Sequence, residues 1–224
     1  MTDNQRAELS WWDGIVPVSV RFDDPYFSLD NGLAETEHVF LRGNTLPDRF
    51  RPGFCIAELG FGTGLNLLTA WRAWLESAQT GALSFTSFEA YPMATDDMAR
   101  ALAAFPELVD LAAPLLAVLA GGATHIELPG LLADIVIGDA RRQLPVWQGK
   151  ADAWFLDGFA PALNPELWQP DLMQAVADHT KKGGTFATYT AAGAVRRDLA
   201  AAGFEVARVT GFGRKRHMTI GSLR

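Results

Sequence analysis

Four acidic residues of this 224-residue chain lie at or near the ends of short, mostly apolar runs. Glu58 follows FCIA, Glu89 follows LSFTSF, Asp139 follows ADIVIG and Asp157 follows ADAWFL. If these runs are parallel strands, their carboxyl ends meet at one edge of the sheet, where open α/β sheets bind ligands. The spacing therefore predicts a single ligand site that is built from several strand ends.

A glycine-rich turn follows the first of these strands. It reads Glu58-x-Gly60-x-Gly62-x-Gly64 and leads into the helical pattern LNLLTAWRAWLESA. Glycines at such a turn let the backbone take positive φ and approach a ligand closely. A dinucleotide site needs G-x-G-x-x-G, and the last position is leucine in both possible registers. The arrangement instead resembles motif I of class I methyltransferases, whose ligand is S-adenosyl-L-methionine (SAM).

That resemblance assigns a ligand to the next two strand ends. Glu89 is placed to accept hydrogen bonds from both ribose hydroxyls, and Asp139, which is followed by Ala140, is placed beside the adenine. A helix-capping or surface role is the alternative for either acid taken alone. The acids and the glycine turn, taken together in this order, indicate a SAM site more specifically than any one of them does.

The stretch DAWFLDGFAPALNPELW places the fourth acid, Asp157, before a loop stiffened by proline. Methyl transfer requires alignment of nucleophile, methyl and leaving group, and alignment can supply roughly 7–11 kcal/mol of barrier reduction. Asp157 can hold an amine nucleophile and favour loss of its proton. We expect Phe159, Pro161 and Trp168 to wall this pocket and exclude water. A helix N-cap or a carboxylate that braces the loop is the alternative for Asp157.

The elements that position these residues alternate between strand and helix, which is typical of a mostly parallel sheet. Residues 15–41 read as strands and turns, with AETEHVFL as a strand, and residues 164–184 read as one helix despite Pro170. We predict an α/β fold of the class I SAM-methyltransferase (Rossmann-like) type, a three-layer sandwich. It has a mostly parallel seven-stranded sheet, a C-terminal antiparallel strand and an N-terminal β-hairpin extension. The predicted division is 1–52 for the extension, packed on the main domain, and 53–224 for the methyltransferase domain.

Charge is distributed unevenly along the chain. The net charge is −7, but residues 181–224 carry +7 and residues 1–180 carry −14. A basic end on an acidic body indicates a local polyanion-binding face or a set of solvated surface charges. A single cysteine, a polar N-terminus and the lack of a long apolar run favour a cytoplasmic protein without a membrane segment. The four histidines lack zinc-site spacing, so we expect no metal.

Six stretches of the chain together resemble the methyltransferase domain of the MnmC family. They are DPYFSLDNGLAETEHVFLRGN, AELGFGTGLNLL, SFEAYP, DAWFLDGFAPALNPELW, GGTFATYTAAGAVRRDLAAAGFEV and GFGRKRHM. The resemblance implies SAM-dependent N-methylation of wobble-position 5-aminomethyl-2-thiouridine in tRNA, giving 5-methylaminomethyl-2-thiouridine. Some members carry an FAD-dependent oxidase domain. This chain has no second glycine fingerprint, so we expect a stand-alone methyltransferase without FAD, or one domain whose oxidase partner is separate or fused.

The resemblance also implies roles for individual residues. Asp157 resembles the active-site acid, and Phe159 or Trp168 could stack on the wobble base once it leaves its stack. The implied SAM-binding residues are Glu58, Gly60, Gly62, Thr63, Gly64, Asn66, Glu89, Asp139 and Ala140. The implied contacts to the phosphates of the tRNA anticodon arm are Arg214, Lys215 and Arg216.

Three other functions stay open at the level of the sequence. A class I methyltransferase for a small-molecule or protein amine is disfavoured by the basic C-terminal segment. An NAD-linked oxidoreductase is disfavoured by the glycine spacing. A non-catalytic RNA-binding module is disfavoured because all four acids and the glycine turn are present.

Overall fold

The computed structural model describes residues 6–28 and 31–224. The predicted extension, 1–52, and the stretch DPYFSLDNG within it include residues 1–5 or 29–30, which lie outside the described residues. The extension begins with a small antiparallel sheet of β1 (Leu9–Trp12), β2 (Val16–Ser19) and β3 (Asp24–Pro25). The main sheet contains β4 (Cys55–Leu59), β5 (Leu83–Glu89), β6 (His125–Leu128), β7 (Leu131–Ile137), β8 (Ala151–Leu156), β9 (Thr180–Thr188), β10 (Phe204–Thr210) and β11 (His217–Leu223).

The main sheet is mostly parallel, as predicted, but it has eight strands rather than seven. Its order is β10-β11-β9-β8-β4-β5-β7-β6, and β11 and β6 run antiparallel to the others. The additional strand is β6, which pairs with β7 across the two-residue turn Pro129-Gly130. Its four residues are too short a run to show a clear alternation, and only Ile126 among them is fully buried.

Seven α-helices accompany the sheets within the described part of the chain. They are α1 (Gly32–Thr36), α2 (Leu65–Glu76), α3 (Thr95–Leu102), α4 (Val109–Ala120), α5 (Ala140–Gln143), α6 (Pro170–Asp178) and α7 (Gly193–Ala201).

Helices cover both faces of the main sheet because its central strands are apolar on both sides. Along β8, Ala153 and Phe155 belong to one core with residues of α2 and α4, whereas Trp154 and Leu156 belong to a second core with residues of α6 and α7. Full burial of a side chain such as Phe155 contributes about 1.5–3 kcal/mol. These two cores give the predicted three layers and fix the strand ends that form the site.

The strand predicted for AETEHVFL is wrong, because residues 32–44 are helical. A π-helical turn at Glu37–Leu41 and a 3₁₀ turn at Arg42–Asn44 continue α1. Asn31-Gly32, a pair that is typical of a hairpin turn, is a helix start here: the Asn31 side chain accepts a hydrogen bond from Ala34 N at 2.9 Å. Asparagine is among the favoured N-cap residues, so the same two letters are compatible with a hairpin turn or a helix start.

The single helix predicted for residues 164–184 is also wrong. A 3₁₀ turn at Pro165–Trp168 precedes α6, and Pro170 is the first residue of that helix. Proline is well tolerated at this position because its missing N–H has no intrahelical partner there. The strand β9 then begins at Thr180 rather than at Thr185.

No single helix among the described residues is long and apolar enough to cross a membrane. By length and composition alone, the segments Thr95–Leu102 and Pro106–Ala120 reach that threshold together, with a bend of 119° between them.

Candidate active site

The carboxyl ends of β4, β5, β7 and β8 open into a cavity of about 1020 Å³. The structure brings most of the predicted site residues to its wall. Those that line it are Gly60, Gly62, Thr63, Asn66, Glu89, Asp139, Ala140, Asp157, Phe159, Arg214 and Lys215. Glu58, Gly64, Pro161, Trp168 and Arg216 do not line it.

The glycine turn needs glycine for conformation and for space. The φ angles of Gly60, Gly62 and Gly64 are +88°, +54° and +79°, a region that side-chain-bearing residues rarely adopt. A Cβ at Gly60 would lie 2.8 Å from the backbone oxygen of Asp157. The turn is therefore packed directly against Asp157, the residue that follows β8.

Glu89 joins the end of β5 to this turn. Its Oε2 accepts a hydrogen bond from Gly62 N at 3.0 Å, and its Oε1 accepts one from Tyr91 N at 2.7 Å. Burial raises the pKa of Glu89 above its usual value, while the backbone N–H donors act in the opposite direction. A carboxylate held in this way presents its remaining lone pairs to the cavity, where they can accept hydrogen bonds from hydroxyl groups.

Glu58 lies beneath the turn and is fully buried. Its two oxygens accept hydrogen bonds from Asn66 Nδ2 at 2.8 Å and Ser87 Oγ at 2.6 Å. Burial raises the pKa of Glu58 well above its usual value. Glu58 does not line the cavity and holds Asn66 instead, so its direct contact with the ligand stays a prediction.

Asn66 connects Glu58 to Asp157. Besides Glu58, Asn66 Nδ2 donates to Asp157 Oδ2 at 2.7 Å, and Asn66 Oδ1 accepts from Thr36 Oγ1 at 3.1 Å. With both of its polar ends occupied, the Asn66 amide has one orientation, and it fixes the position of the Asp157 carboxylate.

Asp157 has the properties of a weak base in a protected site. Burial raises its pKa to about 6, against the hydrogen bond from Asn66, the charge of Lys215 and the hydrogen bond from Gly158 N, which lower it. Asp157 Oδ1 accepts that bond from Gly158 N at 3.0 Å, so the carboxylate also braces its own loop, as the alternative interpretation of the sequence proposed. A carboxylate with a pKa near 6 can accept a proton at neutral pH far better than an exposed aspartate can.

Asp139 is both a helix cap and half of an ion pair. Its side chain accepts from Arg141 N at 2.9 Å, capping α5, and its Oδ2 lies 2.6 Å from Arg141 Nη2. The Arg141 hydrogen bond keeps the pKa of Asp139 below its usual value. Asp139 is therefore charged and lies on the cavity wall, next to the buried Ala140. It forms an ion pair with Arg141, a residue that was not among the predicted site residues.

The loop after Asp157 is held by three distant elements. Ala160 N donates to Asp24 Oδ2 at 2.8 Å, Tyr189 Oη donates to Gly158 O at 2.6 Å, and Trp168 Nε1 donates to Phe159 O at 3.0 Å. The prediction that Trp168 walls the pocket is wrong, because its ring is 5% exposed and packs in the second core. Pro161 likewise is not part of the wall.

The N-terminal extension supplies an aromatic wall that the sequence analysis missed. The Phe22 ring stacks on Phe159 at a centroid distance of 4.8 Å, and the Tyr26 ring meets Phe159 edge-on at 5.0 Å. The signal in the sequence was the acidic and aromatic cluster RFDDPYF, within residues that were interpreted only as strands and turns. Part of the cavity's aromatic wall thus comes from outside the main sheet.

The three basic residues of the β10–β11 loop point in different directions. Lys215 lines the cavity, and its Nζ lies 2.8 Å from Glu35 Oε1, whereas Arg216 is exposed and lies outside the cavity. Arg214 is exposed at the rim. The loop is therefore only in part the outward-facing basic surface that was predicted.

In residues 6–28 and 31–224, no group of three or more His, Cys, Asp or Glu side chains is arranged to hold a metal ion.

Comparison with known proteins gives this cavity a chemical context. The MnmC bifunctional protein of tRNA 5-methylaminomethyl-2-thiouridine biosynthesis from Chromobacterium violaceum is 47% identical to this chain, over 97% of the chain and 34% of that protein. The corresponding protein from Caulobacter vibrioides is also 47% identical, over 96% of the chain and 38% of that protein. The chain spans about a third of the length of these curated relatives.

Similarity extends to a solved structure and to a family model. The crystal structure of MnmC2 from Aquifex aeolicus aligns with a TM-score of 0.78 and 26% identity, over 100% of this chain and 72% of that one. This similarity confirms the predicted class I fold. A family model described as S-adenosyl-L-methionine-dependent methyltransferase matches residues 108–224. Because this match covers more than half of the chain, the protein belongs to the family of S-adenosyl-L-methionine-dependent methyltransferases.

Proposed function

We propose that this protein transfers a methyl group from SAM to the aminomethyl nitrogen of wobble-position 5-aminomethyl-2-thiouridine in tRNA, giving 5-methylaminomethyl-2-thiouridine. The observation that carries the proposal is the Asp157 carboxylate, with its pKa raised to about 6, held by Asn66 beside the glycine turn in a cavity that has an aromatic wall. The names of the relatives support the choice of tRNA. With tRNA as its substrate, the protein is assigned to the cytoplasm.

The cavity fits SAM by the chemistry of its wall. Gly60 and Gly62, which line the cavity, are assigned to the methionine moiety, and Thr63 and Asn66 are the polar side chains assigned beside it. Glu89 is assigned to the ribose hydroxyls, and Asp139 with Ala140 to the adenine. Bound SAM supplies an electrophilic methyl group on a sulfonium.

Asp157 is assigned two tasks at the substrate nitrogen. It orients the amine by accepting a hydrogen bond from it, and its carboxylate accepts the proton that the nitrogen must lose, since an ammonium has no lone pair for the attack. Asn66 and Gly158 N hold the carboxylate oxygens in place from two sides. Such alignment accounts for much of the rate gain in transfer reactions.

The aromatic wall is assigned to the wobble base. A base that is turned out of the anticodon stack can lie on the face of an aromatic ring, and Phe159 with Phe22 and Tyr26 offers such a surface. In this assignment Phe22 and Tyr26 replace Trp168, which is buried elsewhere. The extension, 1–52, then contributes to substrate binding, and residues 53–224 form the methyltransferase domain.

The amine itself is expected to come from an oxidase. We place an FAD-dependent oxidase before this step, either on a separate chain or fused to the methyltransferase, which accords with the description of the relatives as bifunctional. A methyltransferase for a small-molecule or protein amine is the second candidate, because Asp157 would serve any amine equally. A non-catalytic RNA-binding module would leave the geometry of Asp157 and Asn66 without a use.

The direct test is transfer of labelled methyl from SAM to bulk tRNA from a strain that lacks this modification step, followed by nucleoside analysis. Label in 5-methylaminomethyl-2-thiouridine is the expected result. An undermodified tRNA that carries plain 2-thiouridine is the matched control and should remain unlabelled. Label on neither tRNA, with SAM still bound, would overturn the tRNA assignment and favour the small-molecule or protein amine.

Charge reversal of Arg216 is expected to weaken tRNA binding without changing SAM binding. Arg216 is exposed and outside the cavity, so Arg216→Glu should raise the apparent KM for tRNA roughly threefold to tenfold at low salt and reduce its salt dependence. Steady-state kinetics at several salt concentrations measures both effects.

Lys150→Glu is the matched control for Arg216. Lys150 is exposed and directly precedes β8, at the edge of the sheet opposite the cavity, so the same change of charge should leave the KM for tRNA near its original value. A rise in the KM for SAM with Arg216→Glu would contradict the assignment of the loop to tRNA.

A further inference from the structure

Lys215 differs from the adjacent Arg216 because it lines the cavity. Its Nζ lies 2.8 Å from Glu35 Oε1 and 4.2 Å from the centroid of the Tyr189 ring. The Lys215 side chain is 47% exposed, whereas the Glu35 side chain is only 13% exposed. An ammonium placed between a carboxylate and an aromatic face gains from both, since the ring face is electron-rich.

The backbone of the β10–β11 loop holds Lys215 in this place. Gly211 N donates to Arg216 O at 3.2 Å, and Lys215 N donates to Phe212 O at 2.9 Å. A Cβ at Gly211 would lie 2.2 Å from Lys215 O, so the loop closes tightly only because this residue is glycine. The Phe212 ring also lies 5.8 Å from the His38 ring of the extension. The loop is thus fixed to the helical segment that carries Glu35.

A short chain of contacts connects Lys215 to Asp157. The Tyr189 ring lies under the Lys215 ammonium, and its hydroxyl donates to Gly158 O at 2.6 Å. Gly158 N in turn donates to Asp157 Oδ1 at 3.0 Å. Lys215, Glu35 and Asp157 line the same cavity.

Several charged or titratable groups face Asp157 from the elements around it. Glu58 approaches from β4, Glu35 from α1, Tyr189 from the end of β9 and Lys215 from the β10–β11 loop, while Asp24 reaches the same loop from the extension. Most of these groups are acidic and oppose a negative charge on Asp157. The ammonium of Lys215 acts in the opposite direction.

We propose that Lys215 is a positioning residue for methyl transfer, which Glu35 and Tyr189 hold inside the active site so that its charge keeps Asp157 in the carboxylate form. This inference rests on the proposed function, because it assigns Lys215 to the chemistry of Asp157 rather than to the phosphates of tRNA. It also explains why an otherwise outward-facing basic loop directs one lysine into an acidic cavity. A Glu35 carboxylate without Lys215 would add one more negative charge beside Asp157.

Removing the charge of Lys215 and removing the charge of Glu35 should shift the pKa of Asp157 in opposite directions. Lys215→Met removes a cation that favours the carboxylate, so the pKa of Asp157 should rise by about 0.5–1 unit. This shift is smaller than a neighbouring cation usually causes, because the charge of Glu35 offsets part of the charge of Lys215. Glu35→Gln removes an anion, so the pKa of Asp157 should fall. Lys215→Arg keeps the charge and should restore the original value.

The first readout does not depend on any substrate. Protein labelled with ¹³C at the aspartate carboxyl is titrated by NMR without ligands, and the Asp157 signal is identified by its loss in Asp157→Asn. The expected result is a shift upward for Lys215→Met and downward for Glu35→Gln. An unchanged Asp157 titration in both variants would overturn the inference, whether or not tRNA is the substrate.

The second readout uses single-turnover methyl transfer to tRNA as a function of pH. The acidic limb of the rate profile should move to higher pH in Lys215→Met and stay in place in Arg216→Met, which removes the same charge from the adjacent residue. If Lys215→Met and Arg216→Met raised the KM for tRNA equally and neither moved the acidic limb, Lys215 would be a phosphate contact and the proposal would be contradicted. If wild-type protein methylates no tRNA, the proposed function fails, and the NMR titration still decides the role of Lys215.

Discussion

Replacing Asp157 with asparagine is expected to slow methyl transfer by about 100- to 10,000-fold, the usual contribution of a positioned general base. The asparagine keeps the shape of the side chain and can still accept a hydrogen bond from Asn66 Nδ2, which lies 2.7 Å from Asp157 Oδ2 in the wild type. It cannot accept a proton from the substrate amine. Since neither oxygen of Asp157 is assigned to SAM, the Kd for SAM should stay nearly unchanged.

Single-turnover rates with saturating SAM and tRNA measure the first effect, and calorimetric titration with SAM measures the second. Asp24→Asn is the matched control, because Asp24 lines the same cavity but accepts its hydrogen bond from Ala160 N rather than from Asn66. Its expected loss of rate is much smaller. An Asp157→Asn enzyme with wild-type turnover would remove Asp157 from the mechanism.

The pH dependence of the wild type follows from the same carboxylate. The basic form of Asp157 is required, so the rate should fall as the pH drops through about 6. In Asp157→Asn the limb should be absent from the residual activity.

The buried carboxylate of Asp157 also lowers the free energy of unfolding at neutral pH. Between its usual pKa of 3.8 and about 6, the folded protein binds the proton more tightly than the unfolded chain does, so its contribution to stability falls as the pH rises through this window. A shift of this size corresponds to about 3 kcal/mol at neutral pH as an upper value. The Asp157→Asn variant should therefore unfold at a higher temperature than the wild type at pH 7.5, and the difference should shrink towards pH 4.

The order of strands, helices and strand-end acids could be predicted because each signal is local. The turn at Gly60, Gly62 and Gly64 requires glycine for its own backbone angles, and β8 is apolar on both faces, so both features are visible in the sequence. The helix at 32–44 was missed because Asn31-Gly32 serves equally well as a turn or as a helix start.

The directions of side chains at the site could not be predicted in the same way. Glu58 is the next-to-last residue of β4 and Glu89 is the last residue of β5, yet Glu58 contacts Ser87 and Asn66 while Glu89 lines the cavity. Trp168, which was expected to line the pocket, is buried in a core, and Lys215, which was expected to face tRNA, lines the cavity. These outcomes depend on contacts between residues far apart in sequence, such as the 180 positions between Lys215 and Glu35.

Replacing Glu89 with glutamine is expected to raise the Kd for SAM by roughly 10- to 150-fold, as for loss of a hydrogen bond to a charged group worth about 1.5–3 kcal/mol. Both oxygens of Glu89 accept backbone N–H groups, from Gly62 at 3.0 Å and Tyr91 at 2.7 Å. Glutamine has one oxygen, so its amide nitrogen must face one of these donors. The variant therefore loses the acceptor for the ribose and loosens the glycine turn.

Calorimetric titration with SAM and with S-adenosylhomocysteine shows which part of the ligand Glu89 contacts. The two ligands share the ribose, but only SAM carries the sulfonium charge, so a ribose contact predicts equal losses of affinity for both. A loss confined to SAM would place Glu89 near the sulfonium instead, and an unchanged Kd for both would remove it from the ligand site. Asp139→Asn is a useful comparison, because the Asp139 carboxylate is already engaged by Arg141 at 2.6 Å and its loss should cost less affinity than that of Glu89. The Glu89 substitution should have the larger effect because Glu89 is buried, so the groups that it contacts have few other partners when its carboxylate is lost.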